Sequence, residues 1–177
     1  MIFDPCDRGI GQVSLRIVEV TEIFLSIQGE GTDAGRLCAF VRFTGCNVRC
    51  GYCDTDYAFY NGVEIKRDEI LARVQEMEAP MVCLTGGEPM LQKEIVPLMG
   101  ELLAAGLDVA LETNGIIPLE DVPQEVTKIV DVKTPGAFRR KDDGGTGQGA
   151  PFHLPNLDTL TRRDQVKFVL CNREDYD

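Results

Sequence analysis

Three short apolar stretches in the middle of the chain each end in a polar turn that contains glycine. Each stretch is followed at once by its turn: Met81–Leu84 by Thr85-Gly86-Gly87-Glu88-Pro89, Val109–Leu111 by Glu112-Thr113-Asn114-Gly115, and Lys128–Val132 by Lys133-Thr134-Pro135-Gly136. Strands that alternate with helical segments predict parallel βαβ units and an α/β fold. In such folds the loops at the carboxyl ends of the strands build the functional site. We therefore expect these turns to lie together.

The spacing of apolar residues in the rest of the chain predicts the remaining strands and the helices. Further strands are predicted at Ser14–Ser26, Leu37–Phe43 and Gln165–Leu170. Helices are predicted at Lys66–Met77 and Met90–Ala105, where Pro97 predicts a kink or a division of the second helix.

The ends of the chain and its longest loops complete the organisation. Residues 1–13 are predicted to form a flexible leader, and 14–177 a single core domain. Cys46–Tyr60 and the glycine-rich Ala137–Pro151 are predicted to be loops, the second of them mobile. Asn172–Asp177 resembles the cap and first turn of a helix, so we expect a partial (β/α) barrel that lacks C-terminal elements.

Composition excludes several classes of function. The 177 residues include 18 basic and 29 acidic ones, a formal net charge of -11, so nucleic acid and anionic membrane surfaces are unfavourable partners. A single histidine, His153, argues against a histidine-rich metal site and against a Ser-His-Asp triad. No stretch approaches the roughly 18–20 apolar residues that span a bilayer. Acidic residues stand where a signal peptide would be basic, so we expect a cytoplasmic protein.

Three of the seven cysteines form a compact motif. Cys46, Cys50 and Cys53 have the spacing C-x3-C-x2-C, which in a reducing compartment favours a metal site over disulfides. Structural zinc takes four ligands, and a fourth local one is absent, although a remote ligand or a chance pattern stays an alternative. A [4Fe–4S] cluster on three cysteines leaves one iron open. The other cysteines are expected to pack without a chemical role: Cys6, Cys38, Cys83 and Cys171.

The open iron of such a cluster could bind the amine and carboxylate of S-adenosylmethionine. The cysteine motif, with Tyr52 before its third cysteine, resembles the signature of the radical S-adenosylmethionine superfamily. The Thr85–Pro89 turn resembles the superfamily's second motif, which holds the amino group of the cofactor. This resemblance implies a partial (β/α) barrel of the radical S-adenosylmethionine type.

Further motifs resemble one family of the superfamily, the 7-carboxy-7-deazaguanine synthases. They are Ser26–Gly31, Val41–Asn47, Cys53-Asp54-Thr55, Glu112–Gly115 and Asp131–Gly136. The resemblance implies the radical ring contraction of 6-carboxy-5,6,7,8-tetrahydropterin to 7-carboxy-7-deazaguanine, with loss of ammonia. The product would serve the queuosine or another deazapurine pathway. The resemblance also implies an external reductant such as flavodoxin and a homodimer.

The resemblance assigns roles residue by residue, with no catalytic residue beyond the cofactor. The cluster would be held by Cys46, Cys50 and Cys53, and Mg²⁺ by Thr55. Contacts to S-adenosylmethionine are implied for Tyr52, Cys53, Asp54, Gly86, Gly87, Glu88, Glu112, Thr113, Asn114, Asp131 and Lys133. Contacts to the pterin are implied for Ile27, Gln28, Gly29, Glu30, Arg42 and Thr85.

Each role has a plainer alternative. Asp54 and Thr55 could simply cap a turn, and Arg42, a charge in a buried strand, could pair with an internal carboxylate such as Glu30. Gln28 and Glu30 could belong to an ordinary hairpin, and strand-end loops are polar in any α/β protein. Two rival functions also stay open: an activase that forms a glycyl radical on a partner protein, and a non-enzymatic iron–sulfur protein.

Overall fold

The computed structural model of the chain describes residues 16–138 and 151–177. The predicted leader and most of the predicted glycine-rich loop lie outside these residues. Numbered in chain order, the strands are β1 (Ile17–Ile27), β2 (Leu37–Phe43), β3 (Val63–Lys66), β4 (Met81–Gly86), β5 (Asp108–Thr113), β6 (Thr127–Lys133) and β7 (Gln165–Val169). The helices are α1 (Arg67–Glu76) and α2 (Ile95–Ala104).

The strands form one sheet in the order β3-β1-β2-β4-β5-β6-β7. From β2 to β7 every neighbouring pair is parallel, whereas β1 is antiparallel to both of its neighbours. Within the described residues β3 and β7 are the two edges, so the sheet does not close on itself. This confirms the predicted α/β fold and partial barrel.

Alternation along the strands divides the sheet into two faces. In β2, Ala39, Val41 and Phe43 belong to the main core, which contains the buried faces of both helices. Cys38, with the partly buried Phe40 beside it, lies in a smaller cluster on the opposite face of the sheet. Arg42 comes two residues after Phe40, so it shares this second face of the strand. It therefore lies on the concave side of the sheet, away from the helices.

Two details differ from the sequence predictions, and one predicted alternative is confirmed. The short edge strand β3 was not predicted, because its alternating charges, Glu64 and Lys66, resemble a solvent-exposed loop. The predicted division of the second helix is confirmed, because a 3-10 turn at Pro89–Leu91 precedes α2, which begins at Ile95. Pro97 therefore lies in the first turn of α2, where a missing N–H costs nothing, and it causes no kink within the helix.

The C-terminal turn matches its prediction in part. The side chain of Asn172 accepts a hydrogen bond from the backbone N–H of Asp175 at 3.1 Å, and Arg173–Asp175 form a single 3-10 turn. Within the part of the chain that the structure describes, no helix is both long enough and apolar enough to cross a bilayer.

Candidate functional site

A cavity of about 580 Å³ lies on the concave side of the sheet, at the carboxyl ends of its parallel strands. The cysteine loop, the turn after β1 and the ends of β4, β5 and β6 all contribute to its wall. All of the predicted site residues line it except Ile27 and Glu88. Those that do are Gln28, Gly29, Glu30, Arg42, Cys46, Cys50, Tyr52, Cys53, Asp54, Thr55, Thr85, Gly86, Gly87, Glu112, Thr113, Asn114, Asp131 and Lys133.

Arg49 organises the cysteine loop, although the sequence prediction gave it no role. Its Nη1 donates to the carbonyls of Cys46 at 2.8 Å and of Val48 at 2.7 Å. Its guanidinium also lies 4.2 Å from the centroid of the Phe59 ring, a cation–π contact. Arg49 thus ties the first cysteine to the end of the loop.

The three cysteine thiols of this loop are free and half-buried, and all three line the cavity. Burial raises the pKa of Cys50 to about 11 and also raises the pKa of Cys46. The thiols of Cys46 and Cys50 are therefore protonated at neutral pH until a metal displaces their protons. Among the described residues no three His, Cys, Asp or Glu side chains converge on a single metal ion. A cluster differs from a single ion because each thiolate binds a different iron, so a soft three-thiolate donor set on one wall fits it.

The glycine turn after β4 packs directly against the start of the cysteine loop. The backbone N–H of Gly87 donates to Phe43 O at 3.1 Å, and that of Glu88 donates to Gly45 O at 2.7 Å. A Cβ on Gly87 would lie 1.9 Å from Gly45 O, so no larger residue fits there without moving the backbone. The close approach that this glycine permits is therefore to the residue before Cys46.

Glu88 points into the protein rather than into the cavity. Its side chain is fully buried, with Oε1 accepting from Met90 N at 3.0 Å and from Thr113 Oγ1 at 2.8 Å. Its Oε2 accepts from Asn114 N at 2.8 Å. Burial raises the pKa of Glu88, and the three hydrogen bonds oppose this shift. Its predicted contact with the amino group of the cofactor stays a prediction, whereas in the structure its carboxylate holds the turn after β5.

That turn is also linked to the cysteine loop. Asn114 Nδ2 donates to Asn47 Oδ1 at 2.7 Å, and Asn114 Oδ1 accepts from Ile116 N at 3.1 Å. Asn47 follows Cys46 directly. The turns after β4 and β5, both predicted to bind the cofactor, therefore share one polar network. It runs from Glu88 through Asn114 to Asn47 in the cysteine loop.

Glu112 connects the predicted cofactor residues to the predicted substrate residues. Its Oε2 accepts from Thr85 Oγ1 at 2.7 Å, and its Oε1 lies 3.4 Å from Gln28 Nε2. Gln28 is itself buried, and its Oε1 accepts from Glu30 N at 3.1 Å. The turn after β1 therefore lies against the end of β5.

Arg42 has an internal partner, but the partner is Glu22 and not Glu30. Its Nε donates to Glu22 Oε1 at 2.7 Å, and the same oxygen accepts from Tyr57 Oη at 2.8 Å. Partial burial raises the pKa of Glu22, but the hydrogen bonds from Tyr57 and Arg42 outweigh it, so the pKa lies below its ordinary value. The guanidinium lies over Phe24, 5.8 Å from the ring centroid. Within the described residues its two terminal nitrogens donate no hydrogen bond, which leaves them available at the cavity wall.

The end of β6 and the cysteine loop each carry one polar atom that has no partner among the described residues. Asp131 Oδ2 accepts from Lys133 Nζ at 2.7 Å, and Lys133 Nζ lies 5.6 Å from the centroid of the Tyr52 ring. Asp131 Oδ1 and the Tyr52 hydroxyl are buried with no hydrogen-bond partner among the described residues. Burial raises the pKa of Tyr52. Buried polar atoms without partners are costly, so their place beside the thiols suits contact with a bound polar molecule.

Two predicted residues have ordinary local roles in the structure. Thr55 stands at the N-cap position of the 3-10 turn Asp56–Phe59, but its side chain makes no capping hydrogen bond there. Its Oγ1 instead donates to Asp54 Oδ1 at 2.6 Å, and the magnesium role stays a prediction. The side chain of Ile27 is 61% exposed at the end of β1 and does not line the cavity.

The cavity also contains residues that the sequence analysis missed: Phe24, Phe40, Val48, Phe59, Ile129, Lys167 and Val169. Alternation could have found some of them. Phe40 stands two residues before Arg42, and Ile129 two residues before Asp131, so each shares a strand face with a predicted residue. Lys167 is the register partner of Asp131 across β6 and β7, which only the pairing of the strands reveals.

The chain is similar to proteins of one family along most of its length. Residues 40–132 match the model of the radical SAM superfamily. The 7-carboxy-7-deazaguanine synthase of Koribacter versatilis is 47% identical over 163 residues, which cover 90% of this chain and 68% of that protein. The enzyme of the same name from Methanospirillum hungatei is 37% identical and is covered over 63% of its length. The chain thus spans about two thirds of the length of these relatives.

A solved structure shares the fold. The crystal structure of QueE from Escherichia coli superposes with a TM-score of 0.68 over 90% of this chain and 74% of that one, at 21% identity. The superfamily implies a [4Fe–4S] cluster and S-adenosylmethionine, and the donor set described above fits both. This chain therefore belongs to the 7-carboxy-7-deazaguanine synthase family of the radical SAM superfamily.

Proposed function

We propose that the chain catalyses the reaction for which its family is named, the ring contraction of 6-carboxy-5,6,7,8-tetrahydropterin to 7-carboxy-7-deazaguanine. Ammonia leaves, which would class the enzyme as a carbon–nitrogen lyase. The observation that carries the proposal is one cavity in which three free thiols face a polar turn and an arginine with two available nitrogens. Family membership supports the proposal independently.

The protein's part is to bind, orient and exclude water. When bound, the cluster and S-adenosylmethionine would supply a carbon radical that removes a hydrogen atom from the substrate. Cys46, Cys50 and Cys53 would hold the cluster, and the fixed glycine turn beside Cys46 would keep the cofactor against it. Asp131 Oδ1 and the Tyr52 hydroxyl, which have no partner among the described residues, would hydrogen-bond to the polar portions of the cofactor.

The opposite wall would bind the pterin. The terminal nitrogens of Arg42 would hold the substrate carboxylate, since a guanidinium whose Nε is anchored keeps a planar pair of donors in place. Gln28, Gly29, Glu30 and Thr85 would face the ring, with Glu112 as the shared support of Gln28 and Thr85. We propose that Thr55 binds Mg²⁺ together with oxygens of the substrate, because Mg²⁺ accepts few protein ligands and keeps positions for other oxygens.

The partners proposed for the chain follow from the same chemistry. The cluster needs an external electron donor such as a flavodoxin, and a homodimer is the proposed assembly. The net charge of -11 disfavours nucleic acid as a partner. The clustered cysteines favour a reducing compartment, which supports the cytoplasm.

One experiment tests the proposal as a whole. The chain is reconstituted anaerobically with iron and sulfide, supplied with S-adenosylmethionine, Mg²⁺, the pterin and a reductant, and analysed by mass spectrometry. We expect 7-carboxy-7-deazaguanine and ammonia. We also expect Cys50→Ala to lose both the brown absorbance and the product, and the control Cys171→Ala, at an exposed thiol, to keep both. Product without a cluster, or a full cluster with no product from the parent chain, would contradict the proposal.

A further inference from the structure

Two side chains of β7 reach the turn that follows β1, from the opposite end of the chain. Gln165 contacts Gly31 and Thr32, and Lys167 contacts Glu30. In the described sheet β7 pairs only with β6, and four strands separate β7 from β1. We call this set of contacts the clasp.

Gln165 makes the most specific part of the clasp. Its Oε1 accepts from Thr32 N at 3.2 Å, and its Nε2 donates to Thr32 Oγ1 at 3.0 Å, so both ends of the amide are used. Gly31 has a φ of +68°, and a Cβ there would lie 2.1 Å from Gln165 Oε1. The backbone angle favours glycine, and a larger residue would also require the end of the Gln165 side chain to move. The turn is therefore shaped to receive this amide.

Lys167 adds a charged link between the turn and the end of β6. Its Nζ lies 2.7 Å from Glu30 Oε2 and 3.7 Å from Asp131 Oδ2. Its side chain is 35% exposed and lines the cavity. Partial burial lowers the pKa of Lys167, but the hydrogen bond to Glu30 and the charge of Asp131 outweigh it, so the pKa is raised and the ammonium persists.

The turn depends on contacts of this kind because its apex is open. Nothing lies within 4 Å of where a Cβ of Gly29 would stand, and Gly29 lines the cavity. On one side Gln28 is held by Glu112, and on the other side Glu30 is held by Lys167. These side-chain contacts on its two flanks therefore support the apex, together with the backbone hydrogen bonds of Gln28 to Gly35 and Arg36.

We propose that Gln165 and Lys167 are positioning residues that fix the Gln28–Thr32 turn over the cavity in the geometry that binds the substrate. This inference rests on the proposed function for the identity of the substrate, and the contacts themselves stand without it. The clasp would also close, through side chains alone, the side of the barrel that the sheet leaves open. Lys167 also contacts Asp131, so it would fix the position of the substrate turn relative to the residues proposed to bind the cofactor.

Hydrogen–deuterium exchange on the metal-free chain tests the clasp without any activity. The variants are Lys167→Ala, Gln165→Ala and the double variant, with Lys93→Ala as the control at an exposed lysine. An exposed ion pair of this kind changes a local equilibrium by up to about fivefold. We expect amides 29–33 to exchange about three- to fivefold faster in each single variant and faster still in the double variant. Amides of β4 and β5 should be unchanged, and Lys167→Arg should restore protection at the turn.

Steady-state kinetics then test positioning in the reconstituted enzyme. We expect Lys167→Ala to raise KM for the pterin about three- to fivefold. Its kcat, and its cleavage of S-adenosylmethionine without pterin, should stay within about twofold of the parent. Unchanged exchange in the double variant would refute the clasp. Faster exchange with an unchanged KM would refute the positioning role. If the parent turns over no pterin, the proposed function fails, and the exchange result still decides the clasp.

Discussion

Replacing Glu88 by glutamine separates a role inside the protein from a role toward the cofactor. The carboxylate accepts three hydrogen bonds, from Met90 N, Thr113 Oγ1 and Asn114 N. A glutamine oxygen can take over the two bonds to Oε1, but its amide nitrogen would then face the N–H of Asn114, and two donors cannot bond. One buried backbone donor is left without an acceptor, which costs roughly 1–3 kcal/mol of unfolding free energy.

The same count explains why alanine is the poorer variant. Glu88→Ala would leave all three donors without a partner and would open a cavity in a fully buried position. Its cost would be a large fraction of the roughly 5–15 kcal/mol that stabilises a typical domain, so the variant could fail to fold. Glutamine keeps the volume and removes one bond, which makes the result interpretable.

The assay is urea denaturation of the metal-free, reduced chain, followed by circular dichroism. With a slope of roughly 2 kcal/mol per molar urea, the Glu88→Gln midpoint should fall by about 0.5–1.5 M. The control Glu120→Gln, at an exposed carboxylate, should change the unfolding free energy by less than about 0.5 kcal/mol. A Glu88→Gln chain as stable as the parent, combined with weaker binding of S-adenosylmethionine, would refute the reasoning, because Glu88 would then act on the cofactor alone.

Three further predictions concern other groups. Arg42→Ala should reduce pterin turnover by roughly 30-fold or more, because the guanidinium is proposed to hold the substrate. Cleavage of S-adenosylmethionine without pterin should be nearly unchanged, and equal loss of both activities would show that Arg42 has a structural role instead. Thr55→Ala should weaken the stimulation of turnover by Mg²⁺ and leave iron content intact; if Mg²⁺ does not stimulate the parent, Thr55 is only a turn residue. Asp164→Asn should cost roughly 3–5 kcal/mol of unfolding free energy at pH 7, because it leaves the buried ammonium of Lys128, 3.3 Å away, without a counter-charge. Burial raises the pKa of Asp164, but its hydrogen bonds and the charge of Lys128 outweigh burial, so the pKa lies below its ordinary value. The parent should therefore be more stable to urea than Asp164→Asn above about pH 4, and this difference in unfolding free energy should disappear as the pH drops through the folded pKa of Asp164.

Sequence reasoning could predict that the sequence motifs meet at one cavity because of a property of parallel sheets. Strands such as Leu37–Phe43 are apolar and bounded by glycine or polar turns, so their ends can be recognised in the sequence. The carboxyl ends of neighbouring parallel strands meet at one edge of the sheet, so motifs that lie far apart in the chain must converge there. Once the strands were recognised, the meeting of the Thr85 turn with the Glu112 turn required no knowledge of register.

What sequence reasoning missed depends on register and on side-chain direction. The partner of Arg42 is Glu22 because the antiparallel pairing of β1 with β2 sets these two residues opposite each other, after a shift in register between Val20 and Glu22. An irregularity of this kind has no signature in the pattern of apolar residues. Glu88 likewise turns inward because three donors surround it. Met90 N belongs to its own turn, whereas Thr113 Oγ1 and Asn114 N come from the end of β5, and only the fold brings them beside Glu88.

The charges around the cavity bear on the proposed role of Mg²⁺. Among the described residues that line it, the cations are Arg42, Lys133 and Lys167, and each has a carboxylate partner within hydrogen-bonding distance. Four carboxylates line it as well: Glu30, Asp54, Glu112 and Asp131. The thiolates that a cluster requires would add further negative charge. A substrate carboxylate would therefore enter a cavity with no surplus of positive charge, where Coulomb repulsion between like charges is weakly screened. A divalent cation near Thr55 would supply that missing positive charge, and the anchored guanidinium of Arg42 would orient the substrate carboxylate.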